Sequence, residues 1–354
     1  MKERKVTMLQ NYIGIDVGSV TTKMALVNEA GELIWSKYLR TQGGPIDAIQ
    51  QIFRRLYSEG FDKLPIHGVG TTGSGRHLAA IMLGADTVKN EITAHATSAK
   101  HLEPKVRTVI DIGGQDSKII FIKNGVSTGF NMNSICAAGT GSFLDHQAAR
   151  LDIPIEKFGE YALRSMNPVK ISGRCGVFAE SDLIHKQQMG YKKEDLIAGL
   201  CIALVTNFLA NVARGKKIEP AIIFQGGVAA NLGIRAAFEQ KLGISIMVPE
   251  QHSVMGAWGA ALLAKQWYQR SGGKTIFRGV DTISSFECIP RTFSCTDCAN
   301  LCEVNELYIE NKLVNRWGSR CEKWANLELS SAERFDCNSL SGKNSSLRPV
   351  SAGG

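Results

Sequence analysis

Val109 to Gly141, VIDIGGQDSKIIFIKNGVSTGFNMNSICAAGTG, decides the fold. An apolar run closes on Asp111, Gly113 and Gly114 follow, and a second apolar run covers Ile119 to Ile122. The pattern reads as strand, tight turn, strand. A glycine pair directly after a strand lets backbone N–H groups approach a phosphate closely, and an acidic residue at the strand end can hold a metal ion or its water. Cys136 follows in Cys-Ala-Ala-Gly-Thr-Gly, where Gly139 and Gly141 again point to close backbone approach. A phosphate loop and a cysteine loop therefore share one segment.

The same pattern occurs earlier. Ile15-Asp16-Val17-Gly18 with Lys23 matches Ile110-Asp111-Ile112-Gly113 with Lys118, 95 residues later in the same internal register. Two similar units are expected, each presenting a phosphate-facing turn. Strand, glycine pair and helix start recur at Ala221 to Asn231, where Gly226 and Gly227 allow the backbone to pass an adenine or ribose face. Met24 to Val27 and Glu32 to Tyr38 flank a hairpin turn. Ile46, Ile49, Ile52, Phe53 and Leu56 follow helical spacing, as does the stripe of Asp195 to Arg214 that includes Cys201. A small-residue-rich helix, Val254 to Trp267, closes the core. His67, His77, His95 and His101 share no ligand spacing and read as ordinary surface or cleft histidines.

Cys136 and Cys175 have equivalent settings, each in a small-residue loop opening a helix. The helix dipole and free N–H groups there favour a thiolate. Two cysteines make half of a four-thiolate site, which a symmetric dimer would complete, and two buried free thiols are the alternative.

With 354 residues the chain is long enough for two core domains and an appendage. The net charge of +8 comes from basic residues scattered without an arginine-lysine stripe among aromatics, so nucleic acid is not expected as a partner. No apolar run approaches the roughly 20 residues of a membrane span, and Met1 to Gln10 lacks the apolar core of a signal peptide. The expectation is a soluble cytoplasmic protein, whose nine cysteines are metal ligands or free thiols rather than a disulfide framework.

The Asp-x-Gly turns and the Gly-Gly-Val-Ala element resemble the phosphate and adenosine motifs of the superfamily of sugar kinases, actin and the large chaperone ATPases. Asp111-Ile-Gly-Gly-Gln-Asp-Ser-Lys118, Cys136-Ala-Ala-Gly-Thr-Gly-Ser-Phe-Leu-Asp145 and Cys175-Gly-Val-Phe-Ala-Glu-Ser181 are more specifically similar to the activators of 2-hydroxyacyl-CoA dehydratases and the ATPase subunits of benzoyl-CoA reductase. The resemblance covers roughly Tyr12 to Trp267. It implies an α/β chain of two duplicated ribonuclease H-like (actin-like ATPase) domains around a nucleotide cleft, residues 12–104 with 250–268 and residues 105–249. It further implies a homodimer holding one [4Fe-4S] cluster on Cys136 and Cys175 of each subunit. ATP hydrolysis would drive one low-potential electron, drawn from ferredoxin or flavodoxin, to a partner dehydratase or reductase. Asp16 and Asp111 would bind Mg2+ through water. Gly18, Ser19, Lys23, Gly113, Gly114, Gly139, Gly141, Gly226 and Gly227 would contact ATP or ADP, and Gln115 would orient the attacking water.

Residues 269–325 depart from that family pattern. Cys295-x2-Cys298-x3-Cys302, with Cys321 after 18 intervening residues, is a four-thiolate set for a second iron–sulfur cluster or zinc, with Cys288 a spare. The segment resembles the cysteine-rich part that follows the ATPase unit in longer relatives. Residues 326–354, rich in Ser, Asn and Gly, are expected to be disordered. The runner-up functions are a small-molecule kinase on the same fold, which needs no paired cysteines at helix starts, and a nucleotide-sensing interaction protein without turnover.

Overall fold

The computed structural model describes residues 10–133, 139–173, 175–321 and 323–324. Cys136 and the C-terminal tail therefore lie outside the described residues. The chain divides into two compact units, Met1–Ser284 and Ser285–Gly354.

The first unit is a mixed α/β fold with two sheets. In one, β1 (Asn11–Val17), β2 (Thr21–Val27) and β3 (Leu33–Arg40) form an antiparallel meander, with β4 (Ile66–Thr72) and the short β5 (Thr87–Val88) added in parallel, giving the order β3-β2-β1-β4-β5. In the other, β6 (Thr108–Ile112), β7 (Ser117–Lys123) and β8 (Val126–Asn133) repeat the meander and β9 (Ile222–Gln225) joins β6 in parallel, giving β8-β7-β6-β9. The central strands β1 and β6 are buried along their whole length, as expected of strands covered on both faces. The edge strands β3 and β8 alternate between half-buried and exposed positions.

Ten helices complete the described fold: α1 (Pro45–Ser58), α2 (Arg76–Leu83), α3 (Glu91–Leu102), α4 (Gly141–Arg150), α5 (Ile155–Leu163), α6 (Gly176–Gln188), α7 (Lys193–Asn211), α8 (Leu232–Leu242), α9 (Met255–Ser271) and α10 (Val280–Ser285). α9 returns to the first sheet and packs on β1 and β4. Small residues let the backbones meet: a Cβ on Gly14 of β1 would stand 1.9 Å from the Ala257 carbonyl of α9, and one on Gly259 of α9 would stand 1.8 Å from the Ala94 carbonyl of α3. α7 has the length and apolarity of a membrane-crossing helix, but Leu196, Leu200, Leu204 and Phe208 are buried in the core of the second sheet. There Phe238 stands edge-on to both Phe208 and Phe224, with ring centroids 5.4 and 5.3 Å apart. Burying each ring contributes roughly 2–3 kcal/mol before entropy is subtracted.

The first unit extends past Trp267 because residues 272–284 are bonded to it. Thr275 Oγ1 and Ile276 N donate to Asp86, and Arg278 Nε donates to the Met82 carbonyl. The second unit is a separate antiparallel sheet of β10 (Cys288–Ser294), β11 (Glu303–Ile309) and β12 (Lys312–Trp317). Glu310 and Asn311 form the two-residue turn between β11 and β12 with positive φ at both positions, the geometry that matches strand twist.

Candidate functional site

The two aspartates stand at the ends of β1 and β6, and strand register pairs each with a lysine on the next strand: Asp16 with Lys23 and Asp111 with Lys118. Lys23 Nζ donates to Asp16 Oδ2 at 3.0 Å. Lys118, 1% exposed, is more heavily partnered: its Nζ lies 2.7 Å from Asp116, 2.9 Å from Glu91 and 3.6 Å from Asp111. Burial alone would push the lysine toward its neutral form, but Asp111, Glu91 and Asp116 outweigh it and hold the ammonium charged. Lys23 is held charged in the same way, with burial opposed by Asp16.

The turns after these strands are built alike. Gly18 N donates to the Thr21 carbonyl at 2.9 Å, and Gly113 N donates to the Asp116 carbonyl at 3.0 Å. They meet tip to tip: a Cβ on Gly114 would stand 3.1 Å from the Val20 side chain, and Ser19 Oγ donates to Gln115 Oε1 at 2.7 Å. The second aspartate oxygens face walls cleared of side chains. A Cβ on Gly73 would stand 2.5 Å from Asp16 Oδ1, and one on Gly226, at φ +86, would stand 3.0 Å from Asp111 Oδ1.

Between the sheets lies a cavity of about 110 Å³ lined by Asp16, Lys23, Asp111, Gln115 and both turns. It opens along Gly113, Gly114 and Gly227 into a second cavity of about 500 Å³, walled by Tyr38, Arg40, Ile155, Glu156 and Asn231. The first chamber is small and polar, and the second is larger and more apolar. Arg40 and Asp145 form an ion pair at 3.3 Å across its mouth.

Gly18, Ser19, Lys23, Gly113, Gly114, Gly141, Gly226 and Gly227 all line this cleft. Gly139 does not: it lies beside Ser117 and Asn207, outside the cavity lining. Sequence reasoning missed Glu91 and read His95 as ordinary. Both come from the first turns of α3, and the His95 side chain is 6% exposed, with Nε2 3.4 Å from Glu91 and 3.8 Å from Asp111. Burial works against the imidazolium, but Asp111 and Glu91 raise its pKa above the usual value. Gln225 Nε2 lies 2.5 Å from His95 Nδ1 while Gln225 Oε1 has no partner; with the amide turned, Oε1 would accept from an Nδ1–H of the imidazolium. Glu91, although burial resists its charge, is kept ionised by His95 and Lys118. The ligand atoms of Glu91, His95 and Asp111 lie within 4.8 Å of one another, so the group also has the spacing of a metal site, with the Lys118 ammonium already beside it.

α4 begins five residues after Cys136, and its first amides are bonded to the Gly113-Gly114 turn: Gly141 N donates to the Gly113 carbonyl at 2.8 Å and Ser142 N to the Gly114 carbonyl at 2.9 Å. Cys175, half-buried, is the residue capping α6, with no side-chain hydrogen bond satisfying the helix start. Its loop is fixed by Ser172 N donating to Asp182 and Asn207 Nδ2 donating to the Gly173 carbonyl. Phe143 of α4 and Cys175 line one small pocket, and Arg150 of α4 pairs with Glu180 of α6 at 2.7 Å. Cys295, Cys298, Cys302 and Cys321 all belong to the second unit.

Residues 13–264 match the model of the BadF/BadG/BcrA/BcrD ATPase family. The chain belongs to this ATPase family. A relative from Acidaminococcus fermentans, an (R)-2-hydroxyglutaryl-CoA dehydratase activating ATPase, is 37% identical over 253 residues, covering 71% of this chain and 96% of that protein. A benzoyl-CoA reductase subunit from Thauera aromatica is 27% identical over 260 residues, 70% of this chain and 91% of that protein. Among solved structures, the activator of the 2-hydroxyisocaproyl-CoA dehydratase from Clostridium difficile with bound ADPNP superposes with a TM-score of 0.67 at 32% identity, covering 74% of this chain and 97% of that one. The family match spans both sheets, and residues 265 onward lie beyond it.

Proposed function

We propose that this ATPase is a one-electron donor driven by ATP hydrolysis, an activator of a 2-hydroxyacyl-CoA dehydratase or a related acyl-CoA reductase, working as a cytoplasmic homodimer with ferredoxin or flavodoxin as its electron source. The observation that carries the reading is the pair of backbone bonds from Gly141 and Ser142 to the Gly113-Gly114 turn. A shift of the phosphate turn is thereby transmitted to the helix that follows Cys136. The two similar sheets are read as duplicated ribonuclease H-like units, residues 12–104 with 250–268 and residues 105–249.

The residues fit the groups this function requires. Asp16 and Asp111 are buried carboxylates with glycine-cleared walls, suited to hold Mg2+ through water, and each has a lysine ammonium beside it, Lys23 and Lys118 respectively. Gln115, held by Ser19, would orient the attacking water. The phosphates would bridge the two turns and the nucleoside would fill the larger cavity, so that hydrolysis releases contacts that hold the lobes together. Cys175, at a helix start without a side-chain cap, fits as a thiolate ligand. Next to it Val177 and Phe178, 69% and 63% exposed, offer apolar surface for a second copy to cover. When bound, a [4Fe-4S] cluster supplies a one-electron carrier, with Cys136 and Cys175 of both copies making up four ligands.

No observation favours a small-molecule kinase, and the relatives reported above are named as an activating ATPase and a part of a reductase. Purification under anaerobic conditions tests the proposal: a brown protein that hydrolyses ATP and passes electrons to an acceptor only while doing so is expected. A colourless ATPase after iron and sulfide reconstitution would contradict it.

A further inference from the structure

Six cysteines fall in the second unit, five of them among its described residues, and the ATPase reading gives them no task. β10 and β11 form a hairpin whose regular pairing ends at Ser294 and Glu303. One step beyond, Cys295 N donates to the Cys302 carbonyl at 2.8 Å, so these two residues face each other across the mouth of the loop. Inside it, Leu301 N donates to the Cys298 carbonyl at 3.2 Å, and Leu301 at φ 41 turns the chain back.

The segment leaving β12 is tied to this loop on both sides of Cys321. Arg320 Nη1 donates to Asn300 Oδ1 at 3.5 Å, and Lys323 Nζ pairs with Asp297. Trp324 stands edge-on to Phe293, with ring centroids 5.2 Å apart. Three cysteines on one loop and a fourth on a strand exit pinned against it, with lysine and arginine beside them, are the setting in which four thiolates are gathered at least cost. Cys288 sits at the far end of β10, opposite Ile309, roughly 20 Å of strand away from Cys295.

The unit also needs support. Among its described residues the buried apolar side chains are Phe286, Cys295, Val304, Leu307 and Ile309. A core of that size leaves a sheet this small dependent on a metal, a disulfide or a partner surface.

We propose that Cys295, Cys298, Cys302 and Cys321 form a tetrathiolate site for a single Zn2+ that staples the second unit. Zinc fits the Cys-x2-Cys spacing and a short hairpin loop whose two ends are bonded together, because a lone ion requires its ligands to converge on one point. Among the described residues no three of these sulfurs lie within 4.8 Å of one another, so binding turns the exposed Cys298 and Cys321 inward toward the buried Cys295 and half-buried Cys302. Each thiol releases its proton on binding, and the metal–thiolate bonds stabilise the folded unit directly.

The test uses the full-length chain with Cys136→Ser and Cys175→Ser, which removes the proposed cluster ligands. After exposure to zinc and gel filtration, about one zinc per chain is expected by elemental analysis, falling at least tenfold with Cys295→Ser or Cys302→Ser and unchanged with Cys288→Ser. Should those variants fail to fold, cobalt titration of the metal-stripped parent decides instead: intense tetrahedral bands with sulfur-to-metal charge transfer are expected. Absence of both zinc and the cobalt spectrum, or zinc undiminished by Cys295→Ser, would overturn the site. Iron with labile sulfide that disappears with Cys295→Ser would overturn the choice of zinc.

Discussion

Gly256→Ala separates catalytic geometry from folding. Gly256 is the second residue of α9, where alanine is the better helix former by about 1 kcal/mol. A Cβ there would stand 2.6 Å from Asp16 Oδ2 and 3.2 Å from His95 Cε1. Ordinary contact needs about 3.4 Å, so the Asp16 carboxylate has to retreat by about 0.8 Å. Misplacing a catalytic group by about 1 Å costs on the order of 100-fold in rate, and the smaller displacement here sets the expectation at 10- to 100-fold, about 1.4–2.7 kcal/mol of transition-state stabilisation. The assay is steady-state ATP hydrolysis beside a thermal melt of the same preparation. A depressed kcat with a melting temperature within about 4 °C of the parent is expected, since the helix gains what the contact loses. Undiminished hydrolysis in a folded variant would refute the placement of Asp16 at the reacting end of the cleft.

Asp16→Asn and Asp111→Asn should each lower ATP hydrolysis by two orders of magnitude or more while the far-UV circular dichroism stays native, because each removes a charge that orders metal and water; wild-type turnover in both would move catalysis elsewhere. Lys118→Met leaves Glu91, Asp111 and Asp116 crowded together without their buried cation, and denaturant titration should show a loss of about 3–5 kcal/mol; a change under 1 kcal/mol would mean that solvent already screens the cluster. His95, with its pKa raised, contributes stability that is fully present below the ordinary histidine value of 6.5 and is lost as pH rises through the raised value. The parent's melting temperature should therefore fall on the alkaline side of 6.5 more steeply than that of His95→Gln. Parallel profiles would show that the ring is neutral in the folded protein.

What was legible in the sequence was what local pattern controls. The repeated Asp-x-Gly turns with a lysine downstream marked the first two strands of each meander, and antiparallel register carries Lys23 to Asp16 and Lys118 to Asp111, whereas β8 was not read. The small-residue-rich helix read at Val254 to Trp267 is α9, whose close approach to β1 and β4 only the structure shows. Glu91 and His95 could not be read, since they enter the cleft from a helix between the sheets and nothing in their neighbourhood encodes that approach. Tyr38 and Arg40 reach the larger cavity from the last residues of an edge strand whose alternation signals only a half-exposed face. Gly139 matched the glycine pattern but lies beside Ser117 and Asn207 with room for a side chain, whereas Gly141, two residues on, donates to the Gly113 carbonyl.

The central claim is that nucleotide turnover acts on a cluster completed only by two copies of the chain. It is tested most directly by counting iron in the chain ended at Ser284, where the first compact unit ends, so that the C-terminal cysteines contribute nothing. After anaerobic reconstitution, about four irons per dimer are expected in the parent. Cys136→Ala or Cys175→Ala should reduce that to almost none while ATP still binds. Four irons per monomer, or iron unchanged in both variants, would contradict the shared cluster and leave both residues as plain thiols.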